Sequence, residues 1–299
     1  MLGKSFSVKT ARGVGIAFSL FIVAYILITL IGGMIIGLLG VKNGSLSYYA
    51  LSSLFPTLTL LFLVVISCKF SKASVKETVK VKKSSPIYIL LAIVIAIGMF
   101  LGFGFLNSAF ASFLQKLGGV IPTTGVTDAI NSTGSFILFS FLICLFPAIT
   151  EELFFRGVML TGLKNTGRVF TTIMVAVSFA LYHASLAQLI YQLIYGAVLS
   201  ILTIKSNSVI PSMIAHFINN LLVLVLTYFF NFTSAITNPL LIALGIVLVV
   251  SSVVFICLYK KKQTEKVEII KGEKKEFLIF SLVGIITSIV IAIMGVIPV

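Results

Sequence analysis

Charge is what this sequence has least of. Only 10% of its residues are Asp, Glu, Lys or Arg, and just 8 of the 299 are acidic. With 59% hydrophobic residues and a mean hydropathy of +1.19, the chain cannot present an ordinary water-facing surface. There are three cysteines, Cys68, Cys144 and Cys257, each in or at the edge of an apolar run and none in a Cys-x-x-Cys pair. Their placement excludes a disulfide framework and a thiolate zinc site, and leaves them as small buried hydrophobes. Histidine occurs twice and tryptophan not at all. The sequence also lacks a His-Glu-x-x-His zinc motif, a recognisable serine or cysteine nucleophile motif, and any internal repeat.

What it has instead is apolar length. Several runs of about 20 residues or more are long enough to cross a hydrocarbon core roughly 30 Å thick. They predict an all-α polytopic integral membrane protein of eight or nine transmembrane helices, with the lipid bilayer as its main partner. The spans fall near 14–40, 47–68, 86–113, 134–162, 169–185, 188–204, 208–230, 235–259 and 277–298. The first has signal-like polarity, but it is too long for a cleaved signal and reads as a span. Residues 1–133 then hold about three N-terminal helices, 134–230 a four-helix core, and 231–299 two C-terminal helices, with no soluble domain. Gly33/Gly37 and Gly98/Gly102 have the small-xxx-small spacing that predicts close helix packing. The polar, turn-rich stretch "GGVIPTTGVTDAINSTGS" reads as an external loop.

The net charge of +14 invites a nucleic-acid reading, but the basic residues sit in short stretches beside the spans and argue against nucleic acid. Alternating inside and outside from a cytoplasmic N-terminus places all but three of the 22 on the inner side: Lys4, Lys9, Arg12, Lys69, Lys72, Lys76, Lys80, Lys82, Lys83, Lys164, Arg168, Lys205, Lys260, Lys261, Lys262, Lys266, Lys271, Lys274 and Lys275. That bias sets the orientation. The two basic linkers, "KFSKASVKETVKVKKSSP" and "YKKKQTEKVEIIKGEKKE", read as topology signals in contact with anionic headgroups. The excess of lysine over arginine and the missing tryptophan point to a bacterial plasma membrane.

Within the spans only five ionisable side chains of the acid, arginine and histidine classes remain: Glu151, Glu152, Arg156, His183 and His216. Such groups are costly in hydrocarbon and point by default to function. Glu152 and Arg156 are four apart and share a helix face, so an ion pair accounts for both. Glu151 points about 100° away and needs a partner on another helix. His183 shares a face with Phe179, and His216 with Asn220, each pair one turn apart. At about 1.5 Å per residue from the inner ends, Glu151 lies roughly 17 Å deep, His183 about 21 Å, His216 about 12 Å and Asn220 about 18 Å. Convergence on one site follows.

Glutamate and imidazole together can deprotonate a water and hand its proton to a leaving amine. A second imidazole and an amide N–H can stabilise the oxyanion. Two histidines and a glutamate, here Glu151, His183 and His216, also form a possible zinc set. Metal-free hydrolysis is preferred because Asn220 suits an oxyanion role better than a zinc shell.

"EELFFRG", "FALYH" and "HFINN", in that order, resemble the signature of the CAAX-protease and bacteriocin-processing family, which includes the abortive-infection proteins and the type II CAAX prenyl endopeptidases. The likeness covers about residues 134–230, and "YQLIYGAVLS" resembles the family's small-residue helix. It implies a membrane endopeptidase cleaving near the C-terminus of a membrane-associated, optionally lipidated, peptide or protein. Glu151 would activate water with help from His183, while His216 and Asn220 would hold the oxyanion. Glu152, Arg156 and Phe179 would support them. A bacteriocin-immunity protein without catalysis and a proton-coupled transporter are the competing expectations.

Overall fold

The computed structural model describes residues 6–121, 129–230, 236–259 and 268–297. Lys4, Lys260, Lys261, Lys262, Lys266 and the middle of the expected external loop lie outside those residues. The described residues are helical throughout the ordered elements, with no strand among them. In chain order they form α1 (Ala11–Leu38), α2 (Leu46–Phe70), the short α3 (Val75–Val79), α4 (Pro86–Lys116), α5 (Thr133–Thr166), α6 (Arg168–Tyr182), α7 (Leu189–Ser206), α8 (Ile210–Phe229), α9 (Pro239–Leu258) and α10 (Glu273–Met294).

Local chemistry sets several of these boundaries. Thr10 and Ser45 accept hydrogen bonds from Gly13 N and Tyr48 N and so cap α1 and α2. Ser132 and Ser135 form a reciprocal capping box at the start of α5. Asn238 caps α9, whose first residue is Pro239, where the missing N–H costs nothing.

Eight of the helices are long and apolar enough to cross a membrane. The exceptions are α3, a five-residue helix in the connection after α2, and α6, at 15 residues. Of these, α6 nevertheless counts as a crossing. At one end of the bundle the basic connections bond to one another: Val8 N to Ser71 Oγ, Val209 N to Lys80 O, Ser208 Oγ to Lys82 O, and Ile270 N to Asn165 O. At the opposite end the loop after α4 meets the C-terminus, through Val120 N to Val296 O. Between Val8 at the basic end and Val296 at the other, the described residues pass through the bundle an odd number of times, and α6 is one of nine such passes.

Two large apolar clusters and a smaller one around Phe139, Cys144 and Leu224 fill the interior. One large cluster joins α1, α2, α5 and α6 around Phe18, Phe21, Phe154, Phe155 and Phe179. The other large cluster joins α4, α7, α8 and α9 around Tyr88, Tyr195, Leu199 and Val249. The outward faces of the helices carry exposed apolar side chains, such as Leu38 and Leu240, as a lipid-facing surface requires.

Three details differ from the sequence-based expectation. A Cβ at Gly33 or Gly37 would meet nothing within 4 Å, because both lie on the exposed face of α1, while Gly32 and Ile36 beside them turn inward and a Cβ at Gly32 would meet the Phe55 ring of α2. Gly98 and Gly102 do pack closely, against Gly245 of α9. Cys257 is exposed on the flank of α9, whereas Cys68 and Cys144 are buried. Finally, the linker after α2 is a folded cap and more than a tether. Its Thr78 and Val79 are buried, Thr161 Oγ1 donates to Thr78 O at 2.7 Å, and Val79 lies against Gly157.

The glycine contrast is testable. A Cβ at Gly102 would sit 2.5 Å from Ile246 N and 2.6 Å from Gly245 C, both backbone atoms that cannot step aside. Gly102→Val is expected to cost about 1–3 kcal/mol through overpacking. Gly37→Ala is expected to leave stability unchanged. Thermal unfolding of the two detergent-purified variants checks both, and equal midpoints would refute the packing account.

Candidate active site

The site is built where α5 departs from regular helix. Pro147 has no N–H to give the preceding turn, and the backbone widens into a π-helical stretch over Ser140–Leu145. Regular helix resumes at Phe146–Glu152, then widens again at Leu153–Met159. Such π segments are common at functional sites. Here they flank the two glutamates.

Glu152 and Arg156 are both fully buried, and Arg156 Nη1 donates to Glu152 Oε1 at 2.6 Å. The arginine is held on two further sides. Its Nη2 donates to Gly196 O of α7 at 3.3 Å, and its guanidinium lies 4.2 Å from the centroid of the Phe179 ring of α6. Gly196 permits this approach, since a Cβ there would lie 3.0 Å from Ala176 Cα and 3.3 Å from Phe179.

His216 shares the same carboxylate oxygen, with its Nδ1 3.0 Å from Glu152 Oε1. A carboxylate paired with arginine only accepts, so Nδ1 carries the hydrogen. His183 is anchored differently. It is not inside the helix as the expected span 169–185 implied, because α6 ends at Tyr182 and His183 is the cap residue. The chain then turns through Ala184 in the left-handed region, φ 48°. His183 Nδ1 lies 2.8 Å from Phe179 O, one of the carbonyls that a helix end leaves free. That nitrogen is therefore also the protonated one.

Both imidazoles thus present Nε2 to the same place. Glu151 Oε2 lies 4.0 Å from His183 Nε2 and 3.9 Å from His216 Nε2, and it is buried with no hydrogen-bond partner in the protein. These gaps are too long for direct bonds. They suit a bridged water, whose two bonds of about 2.8 Å at near-tetrahedral angles separate the outer atoms by about 4–4.5 Å. Tetrahedral zinc at about 2.0–2.1 Å would draw its ligand atoms to about 3.3 Å of one another. No group of three His, Cys, Asp or Glu able to hold a metal ion occurs among the described residues.

The depth count placed His216 short of the others, yet its ring meets Glu152. The reason is the recessed α7–α8 turn: Ser208 and Val209 are fully buried beneath the α3 cap, which starts α8 deeper than α6. Asn220 lies one turn beyond His216, half-buried and without a hydrogen bond among the described residues. Its neighbour Asn219 is the buried one, with Oδ1 accepting from the Tyr191 hydroxyl at 2.6 Å. Sequence reasoning passed over Tyr182, Tyr191, Tyr195 and Asn219. The available signal was a hydroxyl or amide in an apolar run next to a candidate residue.

Residues 133–222 match the family model described as type II CAAX prenyl endopeptidase Rce1-like. The match covers 90 of the 299 residues, and that stretch is similar to the domain of type II CAAX prenyl endopeptidases. It contains Glu151, Glu152, Arg156, Phe179, His183, His216 and Asn220. No curated protein and no solved structure matches the chain.

The matched stretch puts its only arginine-carboxylate pair in a place where neither partner can be solvated. Arg156→Ala is expected to cost about 3–5 kcal/mol, since it strands the Glu152 charge. The double variant Glu152→Gln/Arg156→Met removes both charges and is expected to regain most of that stability without regaining activity. Thermal midpoints of the single and double variants decide it. A single variant as stable as the parent would remove the ion pair from the account.

Proposed function

We propose that the chain is an intramembrane endopeptidase that hydrolyses a peptide bond near the C-terminus of a membrane-associated substrate, with water activated by Glu151 and histidine and without a metal. The observation that carries this reading is the unpartnered Glu151 Oε2 facing two imidazole nitrogens across gaps of 3.9 and 4.0 Å.

A water in that gap donates one hydrogen to Glu151 Oε2 and the other to His183 Nε2. As its oxygen adds to the scissile carbonyl carbon, Glu151 takes the proton, and it returns that proton to the departing amine when the C–N bond breaks. The carbonyl oxygen becomes an oxyanion. His216, its ring oriented by Glu152 through Nδ1, and the Asn220 amide stabilise it. Glu152 is suited to that task because Arg156 keeps it ionised. Neither serine nor cysteine is placed as a nucleophile. Among the described residues the three cysteines are unpaired and outside the site, so a covalent route has no support.

The basic end of the bundle is inferred to face the cytoplasm of a bacterial cell, following the positive-inside rule. Substrates of the CAAX type, prenylated or not, fit the Rce1-like family, and bacterial peptide processing is the same chemistry on an unprenylated chain.

The purified protein in detergent is expected to cleave a C-terminal Cys-a-a-X peptide, offered with and without a prenyl group. Glu151→Ala, His183→Ala and His216→Ala should each lower the rate by about 10²–10⁴ while leaving insertion and elution unchanged. Asn220→Ala should lower it by about 10²–10³. A chelator should have no effect. Full activity of Glu151→Ala would sink the mechanism, and loss of activity on chelation would restore the zinc set of Glu151, His183 and His216. A folded but inert parent protein would favour an immunity or transport role.

A further inference from the structure

The connection from Lys69 to Lys83 has two faces of different chemistry. Its inner face joins the basic ends of α5 and α8. Thr161 Oγ1 of α5 donates to Thr78 O at 2.7 Å, and Val79 lies against Gly157 of the same helix. From the other side, Ser208 Oγ donates to Lys82 O at 2.6 Å and Val209 N to Lys80 O at 3.3 Å, just before α8 begins. This strap therefore ties together the two helices whose side chains meet in the Glu152–His216 hydrogen bond.

The outer face is basic and apolar. Lys69, Lys72, Lys76, Lys82 and Lys83 are exposed, and the one acid among them is Glu77. None of the five lysines is in an ion pair among the described residues. Phe70, Val75 and Val81 are exposed between them. Ammonium groups interleaved with bare apolar side chains, at the end of a membrane bundle, match an anionic bilayer surface. Its headgroups take the charge and its acyl boundary takes the apolar groups.

The strap is lightly held. Of residues 74–83 only Thr78 and Val79 are buried, and a segment with so few buried contacts opens at little cost. A ligand that binds the docked arrangement better than the open one shifts that balance. Docking fixes the lysine-bearing backbone at the end of the bundle, so headgroups that neutralise those lysines favour the docked strap.

We propose that residues 69–83 are a docking surface for anionic phospholipid headgroups, whose binding holds α5 and α8 in the register that the Glu152–His216 bond needs. The effect on rate rests on the endopeptidase reading; the lipid contact does not.

The test uses the full chain in vesicles of phosphatidylcholine, alone or mixed with phosphatidylglycerol. The probe is a farnesylated Cys-a-a-X peptide of zero net charge, so that the lipid does not concentrate the substrate. The anionic vesicles are expected to raise kcat about 5-fold or more, the scale of coupled sites. Replacing the five exposed lysines with glutamine should leave the rate in phosphatidylcholine unchanged and remove the rise, whereas five arginines should keep it. No rise in the parent protein, or a rise that persists with glutamine, would overturn the proposal. Hydrogen exchange gives a readout without turnover. The Val209 amide is bonded to Lys80 O while the strap is docked, and its exchange should slow in the anionic vesicles. If the parent cleaves nothing in either vesicle, the endopeptidase reading fails while slowed exchange still upholds the lipid-held strap. Unchanged exchange refutes the strap whatever the activity.

Discussion

A single oxygen atom, Glu152 Oε1, organises this molecule. Hydrocarbon solvates neither a carboxylate nor a guanidinium, so Arg156 and Glu152 are tolerated only in each other's company. The same oxygen accepts from His216, which fixes α8 against α5. The arginine's remaining contacts bring in Gly196 of α7 and Phe179 of α6. Four helices meet at one buried ion pair, and the surroundings of Glu151 are formed by their meeting. Buried pairs are poor sources of net stability, because the loss of hydration offsets much of the attraction. Their value here is geometric. The pair leaves His216 one orientation only, with its second nitrogen turned toward the other glutamate.

Much of this was readable from residue spacing. Four residues between Glu152 and Arg156 meant one helix face, and the about 100° offset of Glu151 meant that its neighbours had to come from elsewhere. The scarcity of ionisable groups inside the spans made their convergence legible, since hydrocarbon permits few strays. What was not legible depends on where backbone stops and starts. Counting depth from the helix ends left His216 a few ångströms short of the others, and nothing local in the sequence announces that the α7–α8 turn is buried beneath the α3 cap. His183 fell inside the expected span 169–185, yet it caps the end of α6, held by the Phe179 carbonyl. Glycine spacing was equally ambiguous. Gly98 and Gly102 touch α9, while Gly33 and Gly37, at the same spacing, touch nothing, and only the partner helix distinguishes them.

The segment after α2 shows how a topology signal can also be structure. Its lysines satisfy the charge bias, and the residues between them do something else. Thr78 and Val79 pack on α5 beside Gly157, and the carbonyls of Lys80 and Lys82 receive hydrogen bonds from the α7–α8 turn. Side chains point their charge to water while their backbone closes the end of the bundle. The cover lies over the same π-helical stretch, Leu153–Met159, that carries Arg156.

The shortness of α6 has a consequence for hydration. Fifteen residues rise about 22 Å, short of a hydrocarbon layer of about 30 Å. The irregular backbone that follows His183 therefore sits at a level where bare amides cannot face acyl chains. Protein or solvent must screen them, and of the two imidazoles facing Glu151 Oε2 the more exposed, at 18% against 4%, is His183. The proposed hydrolysis, which consumes one water per turnover, is thus placed beside a helix too short to keep the bilayer dry.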